Sequence, residues 1–376
     1  MRVALVTPYS LSVPGGVQGQ VLGLARALNA AGHRAVVLGP VDAPLRPGVA
    51  DDLAESFGLS PGSVFGVGRS QAVPANGSVA RLALGPLSAR RAWGALAAGR
   101  YDVLHLHEPL APGTTWACLL RPEPKVGTFH RAGGEEAYRW MAPASHRAAR
   151  RLAARCAVSE QARSSALVVA GGRAQDYEII GNGVELERFS EPAPWPVEGP
   201  TVLFVGRHEQ RKGLAVLLEA FGRLGRPPGA VLWVAGDGPE TDALRRRAVP
   251  GVRWLGRVDD EELARRLAGA QVLCAPSLHG ESFGVVLTEA MAAGTAVVAS
   301  DLPGYAAVAD GCGELVPPGD AGALARALES ALADVAAGVG RGAPDALEAA
   351  RRRARQWSMD AVAERYVAVY ERILGR

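Results

Sequence analysis

Apolar positions along the chain alternate between short β-type runs and helical spacing. Val17, Val21, Leu24 and Leu28 follow one another at spacings of four, three and four, which predicts one buried face of a helix. Strands are predicted in the first half at residues 3–7, 34–38, 103–106, 126–129, 156–158 and 177–180. Buried strands that alternate with helices indicate an α/β fold with a parallel sheet covered on both faces.

The same alternation restarts in the second half of the chain. Strands are predicted at residues 201–205, 231–235, 252–255, 272–275, 296–299 and 314–316. The chain has 376 residues, more than one core of ordinary size, so two α/β domains are expected. Residues 190–200 contain four prolines and are the best candidate for a linker. Val362, Tyr366, Val369 and Ile373 predict a last helix that packs back on the first domain.

Composition and charge exclude several classes of protein. A net charge of +3 is small for this length and argues against general nucleic-acid binding. The four cysteines form no CxxC pair, which favours a reducing compartment without structural zinc. There is no apolar run of about 20 residues, and the short apolar run at residues 3–7 is expected to form a first strand rather than a signal peptide. We therefore expect a cytoplasmic protein that is soluble or peripherally bound to a membrane.

Two glycine-containing loops follow predicted strands, where ligands bind in open α/β sheets. Residues 14–17 read PGGV and lie before a helix, so the backbone at Gly16 can approach an anion closely. The loop is not a GxGxxG fingerprint, which disfavours a dinucleotide cofactor. Residues 206–213 read GRHEQRKG and place Arg207, Arg211 and Lys212 after the strand at 201–205. Fixed cations at this position would stabilise a diphosphate leaving group.

A third loop carries two carboxylates, Glu281 and Glu289, in residues 279–300. A helix is predicted to begin near Phe283 or Gly284, which separates the carboxylates by about 12 Å along its axis. That distance excludes the pair about 5 Å apart that a retaining glycoside hydrolase needs. It suits two hydroxyl-bearing rings on either side of a diphosphate, with the helix N-terminal amides at the phosphate.

A fourth loop carries a histidine at the end of the strand at 126–129. His130 has either a structural role or a functional one. In a functional role it would donate a hydrogen bond to a sugar hydroxyl or take part in proton transfer near neutral pH. His105 is expected inside the neighbouring strand, and His107 and Glu108 at its end.

These residues resemble retaining glycosyltransferase family 4, most of all its actinobacterial phosphatidylinositol α-mannosyltransferases. The specific marks are Glu281 and Glu289, separated by seven residues, and the cations Arg207 and Lys212. Further similar segments lie at residues 8–18, 73–82, 102–109, 127–130, 202–207, 211–213 and 280–302. The resemblance implies the GT-B fold, in which two Rossmann-like domains face a central cleft. It implies an acceptor-binding domain over residues 1–185 with 358–376, and a nucleotide-sugar domain over 186–357.

The resemblance also implies roles for individual residues. Arg207 and Lys212 would bind the donor phosphates and act in catalysis with Glu281 and His130, both of which would contact the transferred sugar. The remaining donor-binding residues would be Gly16 at the diphosphate, Arg257 and Val258 at the base, Phe283, Gly284 and Val285 at the helix start, and Glu289 at the ribose. The inositol phosphate of the acceptor would be lined by Tyr9, Asn76 and Arg81.

The function implied is transfer of mannose from GDP-mannose to phosphatidylinositol at the inner membrane face, with retention of configuration. The alternatives are a UDP-sugar such as UDP-N-acetylglucosamine transferred to a soluble inositol phosphate, and a UDP-sugar epimerase. Residues 88–101, with Arg90, Arg91, Trp93 and Arg100, form either a membrane-binding helix or a plain surface helix. No tightly bound cofactor is expected, and no Asp-x-Asp pair after a strand assigns a site to Mg²⁺.

Two stretches differ from the phosphatidylinositol enzymes. Arg131, Ala132, Gly133 and Gly134 replace a Thr- and Ser-rich stretch after His130, and residues 41–71 match no segment of that group.

Overall fold

The chain folds into two compact units. A computed structural model describes residues 1–13, 15–42, 49–75, 78–133, 142–190, 192–225 and 229–376. One unit comprises Met1–Gly183 with Met359–Arg376, and the other comprises Val184–Ser358. The segment predicted as a linker belongs instead to the second unit. There the Trp195 amide donates to the carbonyl of Arg265 at 2.8 Å, and the Arg266 guanidinium lies 3.8 Å from the centre of the Trp195 ring.

The first unit is built on a parallel sheet with helices between its strands. Its strands are β1 (Arg2–Val6), β2 (Arg34–Gly39), β3 (Val64–Gly66), β4 (Gln71–Ala75), β5 (Ser78–Leu82), β6 (Val103–His107), β7 (Lys125–Phe129), β8 (Ala154–Ala157) and β9 (Tyr177–Ile179). In Met1–Gly183 the helices are α1 (Gly16–Ala30), α2 (Val49–Ser56), α3 (Pro86–Gly99), α4 (Thr114–Cys118), α5 (Ala142–Ala149) and α6 (Glu160–Ala170), followed by a 3-10 turn at Ala174–Asp176.

The strand order of this sheet reverses at its centre. Among the described residues the order is β3-β2-β1-β6-β7-β8-β9, and each pair is parallel. Chain progression turns from one direction to the other between β1 and β6, so a crevice opens at the carboxyl ends of these strands. All residues of β6 and β7 are buried, as expected where helices cover both faces.

The second unit repeats this plan. Its strands are β10 (Thr201–Val205), β11 (Val231–Ala235), β12 (Val252–Gly256), β13 (Val272–Ala275), β14 (Ala296–Ser300) and β15 (Gly313–Val316). Its helices are α7 (Leu186–Ser190), α8 (Leu214–Arg223), α9 (Thr241–Arg245), α10 (Asp260–Gly269), α11 (Val285–Ala293), α12 (Pro303–Ala309), α13 (Ala321–Ala337) and α14 (Pro344–Arg355), with 3-10 turns at Gln210–Lys212 and Gly340–Gly342. In the described part the parallel order is β12-β11-β10-β13-β14-β15, so the reversal falls between β10 and β13.

The last helix, α15 (Met359–Leu374), returns to the first unit as predicted. Its apolar face, with Val362, Tyr366, Val369 and Tyr370, joins the core formed by β1, β2 and α1. Tyr370 is fully buried, and its hydroxyl is hydrogen-bonded to Nδ1 of His105 at 2.7 Å. The predicted α/β class and the alternation of elements are confirmed in both units.

Sequence periodicity missed three strands of the first unit, β3, β4 and β5. Strands β4 and β5 form an antiparallel pair in which Gln71 is opposite Leu82 and Val73 is opposite Ala80. Asn-Gly between two β-type runs is a strong hairpin signal, and this dipeptide at residues 76–77 lies outside the described residues. The stretch 41–71, to which no element was assigned from the sequence, supplies α2 and the sheet-edge strand β3.

Candidate active site

The sequence-predicted site residues of the second unit lie at its topological switch point. Arg207, Arg211 and Lys212 follow β10, and Glu281 follows β13, the neighbouring strand across the reversal. The predicted placement of these loops at strand carboxyl ends is confirmed. Because β10 and β13 are adjacent, the two loops meet although they are about 70 residues apart in sequence.

An ion-pair network joins the two loops. Lys212 Nζ lies 2.7 Å and Arg211 Nη1 3.0 Å from the same carboxylate oxygen, Oε1 of Glu281. The buried carboxylate of Glu209 links Arg211 Nε at 3.2 Å to Arg207 Nε at 3.1 Å. With three cations and two carboxylates, the network has a net charge of one positive. It can attract an anion without leaving a carboxylate unpaired.

Glu281 is held ionised by its partners. Burial favours the protonated form, but the charges of Lys212 and Arg211 and a hydrogen bond from Ser277 outweigh burial and lower the pKa of the carboxyl. The Ser277 hydroxyl lies 3.1 Å from Glu281 Oε1 and 3.0 Å from the hydroxyl of Tyr305. A charged acceptor is thereby available for hydroxyl groups of a ligand at this point.

Two glycines allow the loops to meet. Gly213 has a φ of 68°, and a Cβ there would collide with the carbonyl oxygen of Pro276. Gly284 has a φ of 100°, and a Cβ there would lie 2.7 Å from the Tyr305 ring. It also caps α11, which begins at Val285, next to the predicted start. Both sites therefore require a residue without a side chain.

Glu289 lies in the second turn of α11, a helix whose other residues are mostly apolar. It has no hydrogen-bond or ion-pair partner among the residues that the structure describes. Burial raises the pKa of the Glu289 carboxyl to about 7; the nearby charge of Arg188 lowers it slightly and that of Asp260 raises it. A side chain that is costly to ionise and is unpaired in the free protein is a strong candidate for ligand binding.

The remaining donor-site candidates differ in what they can offer. Arg257 pairs with Asp237 at 2.9 Å on the surface after β12, and Val258 packs against the core. Phe283 is buried against Trp357, with ring centres 5.6 Å apart, so its main chain rather than its ring is available to a ligand. Gly284 and Val285 form the N-terminus of α11, where amide groups favour an anion.

In the first unit, Gly16 begins α1 directly after the loop that follows β1. A Cβ at Gly16 would have no atom of the described residues within 4 Å. The loop is held from within, because Gln18 Nε2 donates to the carbonyl of Leu11 at 2.8 Å and the Gly15 amide donates to Gln18 Oε1 at 3.3 Å. The helix N-terminus is thus held in place and open to a ligand.

His130 lies at the carboxyl end of β7, as predicted, and is buried. Its Nε2 is hydrogen-bonded at 2.9 Å to Nδ1 of His107, the last residue of β6. Glu108 accepts from the amides of His130 at 2.7 Å and Arg131 at 2.9 Å through one oxygen. Glu108 has a φ of 52°, which is unusual for a residue other than glycine and often occurs at functional sites.

Burial keeps this histidine pair neutral. It lowers the pKa of His130 to about 4, while a contribution from Asn182 acts in the opposite direction. The pKa of His107 is lowered well below its ordinary value for the same reason. A neutral ring suits the predicted hydrogen bond to a sugar hydroxyl better than it suits proton transfer near neutral pH.

The acceptor candidates of the first unit lie on two neighbouring segments. Tyr9 forms a bridge with Leu82, next to the exposed Arg81 on β5. The Ser10 amide donates to the carbonyl of Arg81 at 3.0 Å, so the loop after β1 and the hairpin are joined through the main chain. Asn76 and Gly134 lie outside the described residues.

Sequence reasoning missed several partners of these residues. Glu209, Ser277 and the pairing of His107 with His130 are visible only once adjacent strand ends are known. One signal was available for Glu108, since a carboxylate after a buried strand is a frequent site residue.

Comparison with known proteins gives the class. Residues 14–188 match the family model described as Glycosyltransferase Family 4, and residues 199–334 match the one described as Glycosyl transferases group 1. The phosphatidyl-myo-inositol mannosyltransferase of Mycolicibacterium smegmatis is 40% identical over all of this chain and 95% of its own length. The protein of that name from Propionibacterium freudenreichii is 38% identical over 81% of this chain and 78% of its own.

The fold comparison agrees. The crystal structure of Anabaena Alr3699/HepE in complex with UDP and glucose matches 98% of this chain and 99% of its own with a TM-score of 0.75 at 20% identity. The chain belongs to glycosyltransferase family 4 and has the GT-B fold. In the described part of the chain, no helix combines the length and apolarity needed to cross a membrane.

Proposed function

We propose that this enzyme transfers mannose from GDP-mannose to the inositol of phosphatidylinositol, with retention, at the cytoplasmic face of a membrane. The observation that carries the proposal is the ion-pair network of Arg207, Arg211 and Lys212 with Glu209 and Glu281 at the carboxyl ends of β10 and β13. Support for the sugar and the acceptor comes from the 40% identity to a phosphatidyl-myo-inositol mannosyltransferase along the whole chain.

The donor diphosphate binds at the cationic loop after β10. Lys212 has about 20% of its side chain exposed and Arg207 about 50%, so both can reach a phosphate while Arg211 stays on Glu281. The N-terminal amides of α11 add a second set of donors to the phosphate oxygens. Glu281 then accepts from hydroxyls of the sugar, and Glu289 accepts from the vicinal hydroxyls of the ribose.

The chemical step replaces one bond at the anomeric carbon by another on the same face. The bond to the diphosphate oxygen breaks, the inositol oxygen forms the new glycosidic bond, and the inositol proton passes to the released diphosphate oxygen. Lys212 and Arg207 stabilise the negative charge that grows on that oxygen. His130, neutral at physiological pH, donates a hydrogen bond to the sugar and does not act as the base.

The acceptor binds in the first unit, where Tyr9, Asn76 and Arg81 line the inositol phosphate. Arg81 is exposed and supplies the positive charge for the phosphate. Its strand is held to the loop of Tyr9 by the main-chain bond from Ser10.

Helix α3 is the surface that meets the membrane. Leu87 is 57% exposed and lies at helical spacing to the exposed Arg90 and Arg91, while Trp93 is 38% exposed. Apolar and cationic side chains side by side on one helix suit an anionic lipid surface.

We expect Arg90→Glu combined with Arg91→Glu to weaken binding to vesicles that contain anionic lipid by about tenfold or more at low salt, because each basic residue near such a surface contributes about 1 kcal/mol. Vesicle sedimentation measures the effect. The matched control is Arg246→Glu with Arg352→Glu, which changes the net charge equally at exposed sites of the second unit. Equal binding of both double variants would exclude α3 as the membrane surface.

The donor is tested by supplying GDP-mannose, UDP-glucose or UDP-N-acetylglucosamine with phosphatidylinositol vesicles and following each nucleotide and lipid product by mass spectrometry. We expect turnover with GDP-mannose to exceed that with either UDP-sugar by at least about a hundredfold. A base-binding site that hydrogen-bonds guanine leaves polar groups unpaired when uracil binds instead. Preferred use of a UDP-sugar would reject the proposed donor, and conversion of that sugar without vesicles would indicate an epimerase.

A further inference from the structure

Asp42 lies where three segments of the first unit meet. Its Oδ2 accepts from the hydroxyls of Ser10 at 2.6 Å and Ser70 at 2.7 Å, and its Oδ1 accepts from the Ser70 amide at 2.7 Å. The Asp42 amide in turn donates to the hydroxyl of Ser12 at 3.0 Å. One residue therefore fixes both ends of the loop Ser10–Ser12 and the chain at Ser70.

The Asp42 carboxyl is ionised in this setting. Burial opposes ionisation, but the hydrogen bonds from Ser10 and Ser70 and the positive charge of Arg81 outweigh it and lower the pKa. Hydrogen bonds to a charged acceptor are roughly twice as strong as those between neutral groups. The hydrogen bonds of Asp42 with Ser10, Ser12 and Ser70, called the Asp42 node below, are therefore among the stronger polar contacts of this region. Asp42 belongs to the stretch 41–71 that the family resemblance left unexplained.

The two segments that Asp42 joins are those of the proposed acceptor site. Ser10 follows Tyr9 directly and donates its amide to the carbonyl of Arg81. Ser70 precedes β4, the first strand of the hairpin whose second strand carries Arg81. Asp42 therefore ties the loop of Tyr9 to the start of the hairpin through Ser70, while the Ser10 amide ties the same loop to Arg81 on the second strand.

We propose that Asp42 is a positioning residue for the acceptor, which it does not need to contact itself. By locking the Tyr9 loop to the hairpin, it keeps Tyr9 and Arg81 at the spacing that an inositol phosphate requires. This inference rests on the proposed function. No donor-site candidate of the second unit takes part in these contacts. Gly16, the donor candidate of the first unit, is held separately by the bonds of Gln18 to Leu11 and Gly15, so we expect the loss of Asp42 to act mainly on the acceptor.

The test compares Asp42→Ala with the wild-type enzyme in steady-state transfer from GDP-mannose to phosphatidylinositol vesicles. We expect the KM for the lipid to rise about ten- to hundredfold, since three charge-assisted hydrogen bonds are lost. The KM for GDP-mannose and the rate of its slow hydrolysis without acceptor should stay within about twofold of the wild-type values. The reason is that the variant weakens binding of the acceptor and leaves the donor site intact. Asp42→Asn, which keeps one acceptor oxygen, should fall between the two.

Asp51→Ala is the matched control. Asp51 also accepts from a main-chain amide, that of Gly62 at 2.7 Å, and lies in the same stretch, but it does not join the acceptor segments. If Asp42→Ala does not fold, Ser70→Ala removes one donor of the node and is expected to raise the lipid KM severalfold. The inference is overturned if a folded variant has an unchanged KM for the lipid. It is also overturned if hydrolysis of GDP-mannose without acceptor falls as much as transfer to the lipid does. A wild-type enzyme that transfers nothing to the lipid removes the proposed function and this inference together.

Discussion

Lys212→Ala is expected to lower kcat by about a hundred- to thousandfold, the range found when one fixed donor to a developing oxyanion is removed. Lys212 is the cation whose ammonium lies 2.7 Å from Glu281 and which remains partly exposed to a ligand. Its loss removes positive charge where the diphosphate leaves. Initial rates at saturating GDP-mannose and phosphatidylinositol measure the effect.

The fold should survive this change. Glu281 keeps its bonds from Arg211 at 3.0 Å and Ser277 at 3.1 Å, so its carboxylate is not left unpaired. Thermal unfolding of the variant provides the check, and Arg246→Ala on the exposed surface of the second unit is the matched control for loss of one cation. Activity within a few-fold of the wild type would rule out the phosphate role of Lys212.

Glu289→Gln is expected to weaken donor binding and to stabilise the free enzyme. An ionised carboxylate accepts two hydroxyls of the ribose, whereas an amide oxygen accepts less strongly, so the KM for GDP-mannose should rise about tenfold to a hundredfold. In the wild type, donor binding should weaken as pH falls below about 7, because burial raises the pKa of Glu289 to about 7 and protonation removes the charge. The variant should show no such dependence.

The stability change has a definite sign. The folded pKa of Glu289 is raised from 4.5 to about 7, so the unfolded chain releases this proton more readily. Folding stability therefore falls as pH rises from 4.5 to about 7 and stays reduced above that. The variant lacks this loss, and at pH 8 it should be more stable than the wild type by about 1 to 3 kcal/mol, with the difference vanishing towards pH 4.5.

Chemical denaturation of the free enzymes at pH 5 and pH 8, combined with donor titrations, separates the two effects. Glu261→Gln on the exposed surface of the same unit is the control for loss of one carboxylate. A variant less stable than the wild type at pH 8, with an unchanged KM for the donor, would contradict the assignment of Glu289 to the ligand.

The fold was largely predictable because apolar periodicity marks most of the strands in the two parallel sheets directly. The buried runs of β6, β7, β10 and β13 are continuous, as strands covered on both faces must be. The hairpin of β4 and β5 was not predicted, because β4 begins with the exposed Gln71 and Ala72 and its sequence contains Pro74, which is unusual within a strand. The prediction of a linker at residues 190–200 was wrong, because Trp195 packs on the second unit. Its ring contacts the guanidinium groups of Arg265 and Arg266.

Residues that the structure brings together at the strand ends could be singled out from the sequence, but their pairing could not. Glu281 and Lys212 were each singled out, yet their contact depends on two strand ends being neighbours. The same holds for His107 and His130, whose hydrogen bond follows from the register of β6 and β7, in which His107 is opposite Thr128. Asp42 could not be found from the sequence, since its partners Ser10 and Ser70 lie about 30 residues away on either side.

The proposed acceptor, the inositol of a lipid, can be distinguished from a soluble inositol phosphate in a single assay. The enzyme is incubated with GDP-mannose and an equal concentration of phosphatidylinositol in vesicles or of soluble inositol 1-phosphate, and both products are quantified by tandem mass spectrometry. We expect phosphatidylinositol that carries one added hexose on its inositol ring, formed at a rate far above that with the soluble acceptor. Hexose added only to inositol phosphate, with the lipid unmodified, would contradict it.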